Sequence, residues 1–201
     1  RRGLKCRQDV ESMSCDYGDI QISQLPELEE TEQIDDTVVP DYLASKKLEN
    51  LMLAALEAHS NGQFQKAIDI YSAILQMKLD SAICSLVYNH RGMALFALAK
   101  YQEGVADFND AIESNAENAR AWSNRGLAYR ILEKFDQSLE DYDRAIEMNP
   151  QQYEGYWGRA QTFFEMKLFS RALGDCHKTI ERKTDFAPAL ALEKTLRRKL
   201  F

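Results

Sequence analysis

The chain has 201 residues, 45% of them hydrophobic, enough for one domain of ordinary size with a continuous core. Its formal charge of −7 is unevenly spread: residues 1–8 carry four basic and no acidic side chains, residues 9–45 eleven acidic and no basic ones, and the rest 21 of each. An acidic segment on a neutral body offers no broad basic footprint for a nucleic-acid backbone, and no apolar run approaches the roughly 18 residues that span a bilayer, so neither nucleic acid nor membrane is an expected partner.

Arg1-Arg2-Gly3-Leu4-Lys5 is followed by no apolar signal core, and a chain that opens on arginine reads as a piece of a longer or processed protein. Cys6, Cys15, Cys84 and Cys176 form no CxxC pair and read as free thiols of a reducing compartment, which points to the cytoplasm. Cys176 beside His177 lacks zinc-ligand spacing and reads as core packing.

Residues 1–40 form an acidic, largely irregular segment, with a brief strand-like alternation at Asp19-Ile20-Gln21-Ile22-Ser23 and the acidic run from Glu27 to Asp36. One reading makes it a solvated linker; another packs Ile34, Val38 and Val39 on the body as an internal ligand. Residues 41–201 form the folded domain. Asp41 after Pro40 predicts a helix N-cap, with a first helix over 42–60 carrying Leu48, Leu51, Met52, Ala55 and Leu56. Asn61-Gly62 ends it, and Phe64, Ala67, Tyr71 and Ile74 mark a second helix packed back on the first.

The same two-helix pattern then recurs with a fixed period, so that Tyr88, Trp122 and Tyr156 hold equivalent places in successive copies. Residues 85–118 carry Tyr88, Gly92, Leu95, Tyr101, Gly104, Phe108 and Ala111; residues 119–152 carry Trp122, Gly126, Tyr129, Ser138, Tyr142, Ala145 and Pro150; residues 153–186 carry Tyr156, Ala160, Phe163, Phe169, Ala172, Cys176 and Thr179. Residues 48–84 make a divergent first copy, three residues over period near Asp80 to Cys84, where a longer loop or an added half-turn is expected. Pro188 with Leu192, Leu196 and Leu200 predicts a capping helix over 187–200. Gly92, Gly126 and Ala160 are expected where paired helices approach most closely, and Trp122→Ala is expected to cost about 3–5 kcal/mol by cavity formation.

Trp122, Gly126, Tyr129, Ser138, Tyr142, Ala145 and Pro150 fall where a tetratricopeptide repeat has Trp, Gly, Tyr, Ala, Phe, Ala and Pro, and the chain resembles that family over residues 48–186. The resemblance implies an all-α fold: a right-handed α-solenoid of about four helical hairpins plus a capping helix, used for noncatalytic protein interaction.

Two polar ladders run through the copies. Arg91, Arg125 and Arg159 recur once per period, as do Asp107, Asp141 and Asp175, and the first copy lacks both, with Ala54 and Ile70 in those places. Appearing and vanishing together predicts Arg-to-Asp pairs, because an arginine near a hairpin core needs a carboxylate to offset its desolvation. The pairs Asp107/Asp110 and Asp141/Asp143 lie on helices without a ligand-rich turn, His59, His90 and His177 are scattered, and no nucleophile has a base partner. No catalytic site, metal or cofactor is expected.

In such a superhelix the first helix of each hairpin lines the concave side, which here offers Leu86, Asn89, His90, Met93 and Phe96; Arg120, Ser123, Asn124, Leu127 and Arg130; and Glu154, Trp157, Gly158, Gln161 and Phe164. Amides beside aromatic and apolar residues suit an extended peptide of a protein partner, with Met93, Trp157 and Phe164 receiving side chains and Arg120 and Arg130 leaving room for one acidic group. Some relatives clamp acidic chaperone tails with Lys, Asn, Asn, Lys and Arg; Asn124 fits one of those places, but Asn89, Met93, Glu154 and Gly158 fill the others. The alternative function is a regulatory or oligomerising domain of a larger enzyme or signalling protein, with the acidic segment acting in cis and self-association as a further mode.

Overall fold

The computed structural model describes residues 39–200, among which nine helices and no strand occur. In chain order they are α1 (Val39–Ser60), α2 (Phe64–Ile74), α3 (Ser81–Ala97), α4 (Tyr101–Ser114), α5 (Ala119–Ile131), α6 (Phe135–Met148), α7 (Tyr153–Glu165), α8 (Phe169–Arg182) and α9 (Ala187–Leu200). Each odd helix pairs with the next even one, consecutive hairpins stack, and α9 covers α8. The result is an all-α right-handed solenoid. The expected strand-like stretch, the expected free thiols of Cys6 and Cys15, and the idea that Ile34 and Val38 pack on the body lie outside the described residues.

α1 opens at Val39 rather than 42, so Asp41 falls inside its first turn and is not the N-cap. Pro40 fits there, because the N–H it lacks would have no intrahelical partner. The three extra residues of the first copy extend a helix: α3 has 17 residues where α5 and α7 have 13. Asp80 starts that extra turn by accepting the Ile83 N–H at 2.8 Å, as Asn118 does for α5 through the Ala121 N–H at 3.1 Å.

One backbone device makes all four hairpin turns. Gly62, Ala99, Glu133 and Lys167 are left-handed, with φ of 72°, 59°, 58° and 62°. At each, two backbone bonds close the helix end: Ala99 N–H to Phe96 C=O and Lys100 N–H to Leu95 C=O in the second turn, 2.9 and 3.0 Å. This is the Schellman pattern, and it satisfies carbonyls that the helix leaves unpaired. Only the first turn uses glycine, so three L-residues carry the strain of that conformation.

The hairpin seams are close. A Cβ on Gly92 would meet Phe108 Cε1 at 2.7 Å, and one on Gly126 would meet Asp141 Cβ, the Ser138 carbonyl oxygen and Tyr142 at 3.3 Å. Three apolar clusters run along the stack: Met52, Tyr71, Ile74 and Val87 at the first junction, Met93, Phe96, Phe108, Leu127 and Tyr142 in the middle, and Trp157, Cys176, Ala189 and Leu196 at the end. Burial, with Asp175 and Glu193 nearby, pushes the Cys176 thiol up to about 12, the state of an inert core cysteine.

Trp122 differs from its expected role. It is only partly buried, donates its indole N–H to the Ala116 carbonyl at 2.9 Å, and lies 4.8 Å from the Arg125 guanidinium. Truncation there removes a lid and one hydrogen bond instead of opening a cavity, so the expected cost falls to about 2 kcal/mol.

Candidate peptide-binding face

The geometry of the concave face depends on the ladder that spaces the repeats. Arg91, Arg125 and Arg159 each form a two-pronged pair with Asp107, Asp141 and Asp175, with N···O distances of 2.7–2.8 Å. The aspartates' side chains are only 6%, 4% and 6% exposed, so the pairs sit largely out of water. The hydrogen bonds that Arg91 and Arg159 donate to Asp107 and Asp175 are the largest influence on the two guanidiniums, and they hold both more firmly protonated than usual.

The remaining prong of each arginine reaches back to the preceding hairpin: Arg91 Nη1 to Ser72 Oγ at 3.0 Å, Arg125 Nη1 to Asn109 Oδ1 at 2.7 Å, and Arg159 Nη1 to Asp143. Each arginine therefore ties two hairpins together. The last rung is inverted. Glu193, one period after Arg159, meets His177, one period after Asp143, at 3.0 Å, and Arg197 joins Glu193 at 2.8 Å. The sequence carried this signal in the spacing of Asn109, Asp143 and His177.

α3, α5 and α7 touch one another across hairpins, which puts them on the inner side of the curve. The sequence-derived site residues divide there by access. Asn89, Met93, Leu127, Arg130 and Trp157 are buried in the seams between these helices, whereas His90, Arg120, Ser123, Asn124, Gln161 and Phe164 keep part of their surface in solvent. The structure therefore corrects the roles of Met93 and Trp157. Met93 packs with Phe96 and Leu127, and Trp157 stands edge-on to Phe186, their ring centres 5.3 Å apart, so neither is presented to receive a ligand side chain.

Arg130 is corrected as well. It is 2% exposed and bound to Glu165 Oε1 at 2.6 Å, which occupies the charge expected to meet an acidic ligand group. Glu165 was missed, since it lies outside the positions that repeat among the inner faces. Asn89 is held by the Asn124 amide at 3.0 Å, so the two amides brace α3 against α5. On α7, Glu154 Oε2 and Trp157 Nε1 are buried without a hydrogen-bond partner among the described residues. At i and i+3 they share one face of the helix. Tyr142 packs into the space left by Gly158, where a Cβ would lie 2.2 Å from its ring.

His90 stacks on Tyr71, ring centres 6.0 Å apart. Burial first, then the nearby His59 and Arg120, lower its pKa to about 4, so the imidazole is neutral near pH 7. Among the described residues no cluster of three or more potential metal ligands occurs, and no helix is long and apolar enough to cross a membrane.

Stacked hairpins in a fixed period, with an aromatic ring over the ladder arginine in the second, third and fourth, define a helical-repeat scaffold. Residues 90–152 match the tetratricopeptide repeat family: a family model described as tetratricopeptide repeat matches residues 119–152, and a second with that description matches residues 90–133. No curated protein sequence matches the chain. Similar solved structures include the tetratricopeptide domain of Arabidopsis OM64, 22% identical with a TM-score of 0.59, covering 60% of this chain and 99% of that one. MamA is 16% identical with a TM-score of 0.63, covering 75% and 81%. The first such domain of Spaghetti (RPAP3), bound to the HSP90 peptide SRMEEVD, is 22% identical with a TM-score of 0.58, covering 59% and 94%.

Proposed function

We propose that this chain is a noncatalytic interaction scaffold whose concave face holds an extended, largely uncharged peptide segment of a protein partner. The observation that carries this reading is the strip of half-exposed amides, hydroxyl and aromatics along the inner helices: His90, Ser123, Asn124, Gln161 and Phe164. Amide side chains donate to and accept from a peptide backbone, and Phe164 gives an apolar contact at one end.

An acidic tail such as the one bound to Spaghetti does not suit this face. Arg130 is already neutralised by Glu165, and Glu154 and Gly158 stand where clamp relatives carry Lys and Arg. The cytoplasm suits the free, buried thiol of Cys176.

The test is binding of the intact chain to an array of uncharged extended peptides, with SRMEEVD alongside. Some uncharged peptides should bind, and Asn124→Ala and Gln161→Ala should each weaken them by about 2–10-fold, the worth of one hydrogen bond. Binding that ignores both substitutions, or tight binding of SRMEEVD with none of the uncharged peptides, would overturn the reading.

A further inference from the structure

Charge is polarised along the solenoid. Residues 166–200 carry nine Lys and Arg against four Asp and Glu. Asp175 is held by Arg159, Glu193 by His177 and Arg197, and Glu181 lies 3.7 Å from Arg182. Lys167, Arg171, Lys194, Arg198 and Lys199 remain exposed, with no ion pair among the described residues. Lys199 Nζ lies 5.2 Å from the Phe169 ring, which joins the end of α9 to the start of α8, next to Lys167 and Arg171. Leu168 and Leu190 add exposed apolar surface, 38% and 41% accessible. The terminal edge is thus a basic surface with apolar points.

Its electrostatic complement is in this chain, at the other end. Residues 9–38 carry ten acidic and no basic side chains, six of them between Glu27 and Asp36, with Leu25, Leu28 and Ile34 interspersed. The concave face is no match for that segment, because its buried cation is already paired and Glu154 adds a negative charge. Reach then decides between the same chain and another copy. Inner helices spaced about 8–10 Å apart put α9 about 32–40 Å from α1. Glu27 is twelve residues before Val39, a fully extended span of about 40 Å, and Asp36 is three residues away, about 10 Å. Asp35 and Asp36 therefore stay short of their own α9 and Glu27 only just reaches it, whereas the α9 of a second copy can stand beside the whole cluster.

We propose that the basic edge formed by α8 and α9 docks the acidic segment of a second copy, giving a head-to-tail, salt-sensitive association. Such a contact is heterologous: each copy leaves one acidic segment and one basic edge open, so assembly extends as an open chain.

Sedimentation of the full chain from micromolar to sub-millimolar concentration tests this. At about 50 mM NaCl the weight-average mass should rise at least about twofold with concentration, and at about 500 mM it should return to that of one chain. Two charge-reversed chains make the test specific: one with K194E, R198E and K199E, the other with E27K, E29K, E30K and E32K. Each alone should stay monomeric, and their mixture should associate again, because each segment then meets an opposite edge. All seven positions are surface charges or lie in the N-terminal segment, and an unchanged helical circular-dichroism spectrum confirms folding. A natural chain that stays monomeric at low salt overturns the proposal. So does a mixture that stays monomeric, and in either case a salt-dependent frictional change would reassign the contact to a single chain.

Discussion

Arg125→Ala probes the ladder at its best-buried rung. The substitution removes two charge-assisted hydrogen bonds to Asp141, one to Asn109 at 2.7 Å, and the cation over Trp122. Asp141 is left without its counter-ion, in a site where its side chain is only 4% exposed. An uncompensated buried charge after loss of one partner costs about 3–5 kcal/mol. Arg125→Met with Asp141→Leu removes both charges and leaves apolar volume, so the double variant should lose about 2 kcal/mol or less relative to the natural chain. The assay is urea unfolding followed by helical circular dichroism on Arg125→Ala and the double variant. The expected result is a double variant more stable than Arg125→Ala alone. A loss below about 1 kcal/mol for Arg125→Ala would refute the reasoning, because it would mean that water reaches the pair and screens it.

Three further outcomes follow from the geometry. Glu133→Gly should stabilise by about 1 kcal/mol in the same unfolding assay, since glycine adopts the left-handed turn without the Cβ clash; no gain would mean that the turn holds no strain. Gly158→Ala should destabilise by about 1–3 kcal/mol through its clash with Tyr142, and by more than Gly126→Ala, whose neighbours lie at 3.3 Å. His90, lowered to about 4 in the fold from an ordinary 6.5, stabilises fully above pH 6.5 and progressively less as pH falls toward 4. That gap converts to about 3 kcal/mol, and unfolding curves of His90→Gln between pH 7 and 4 should show a correspondingly shallower acid loss.

The ladder was legible in the sequence because a period exposes paired residues: Arg91 and Asp107 recur together and vanish together. The left-handed turns were hidden, because Ala99, Glu133 and Lys167 have nothing in common except their position after the helix. The inner-face residues were legible as a set and misread in part. Helical spacing gives the side of a helix a residue occupies. How deeply the neighbouring helix covers that side depends on the crossing between them, and that is why Met93, Trp157 and Arg130 were expected at the surface and are buried.

Local patterning by itself determined the all-α repeat, the hairpin pairing and the family, since amphipathic period and turn residues act within one repeat. Tertiary structure decided which inner residues stay accessible, that Glu165 neutralises Arg130, and that unpaired basic charge gathers at α8 and α9. These depend on distances between residues many positions apart, which are set only when the hairpins stack.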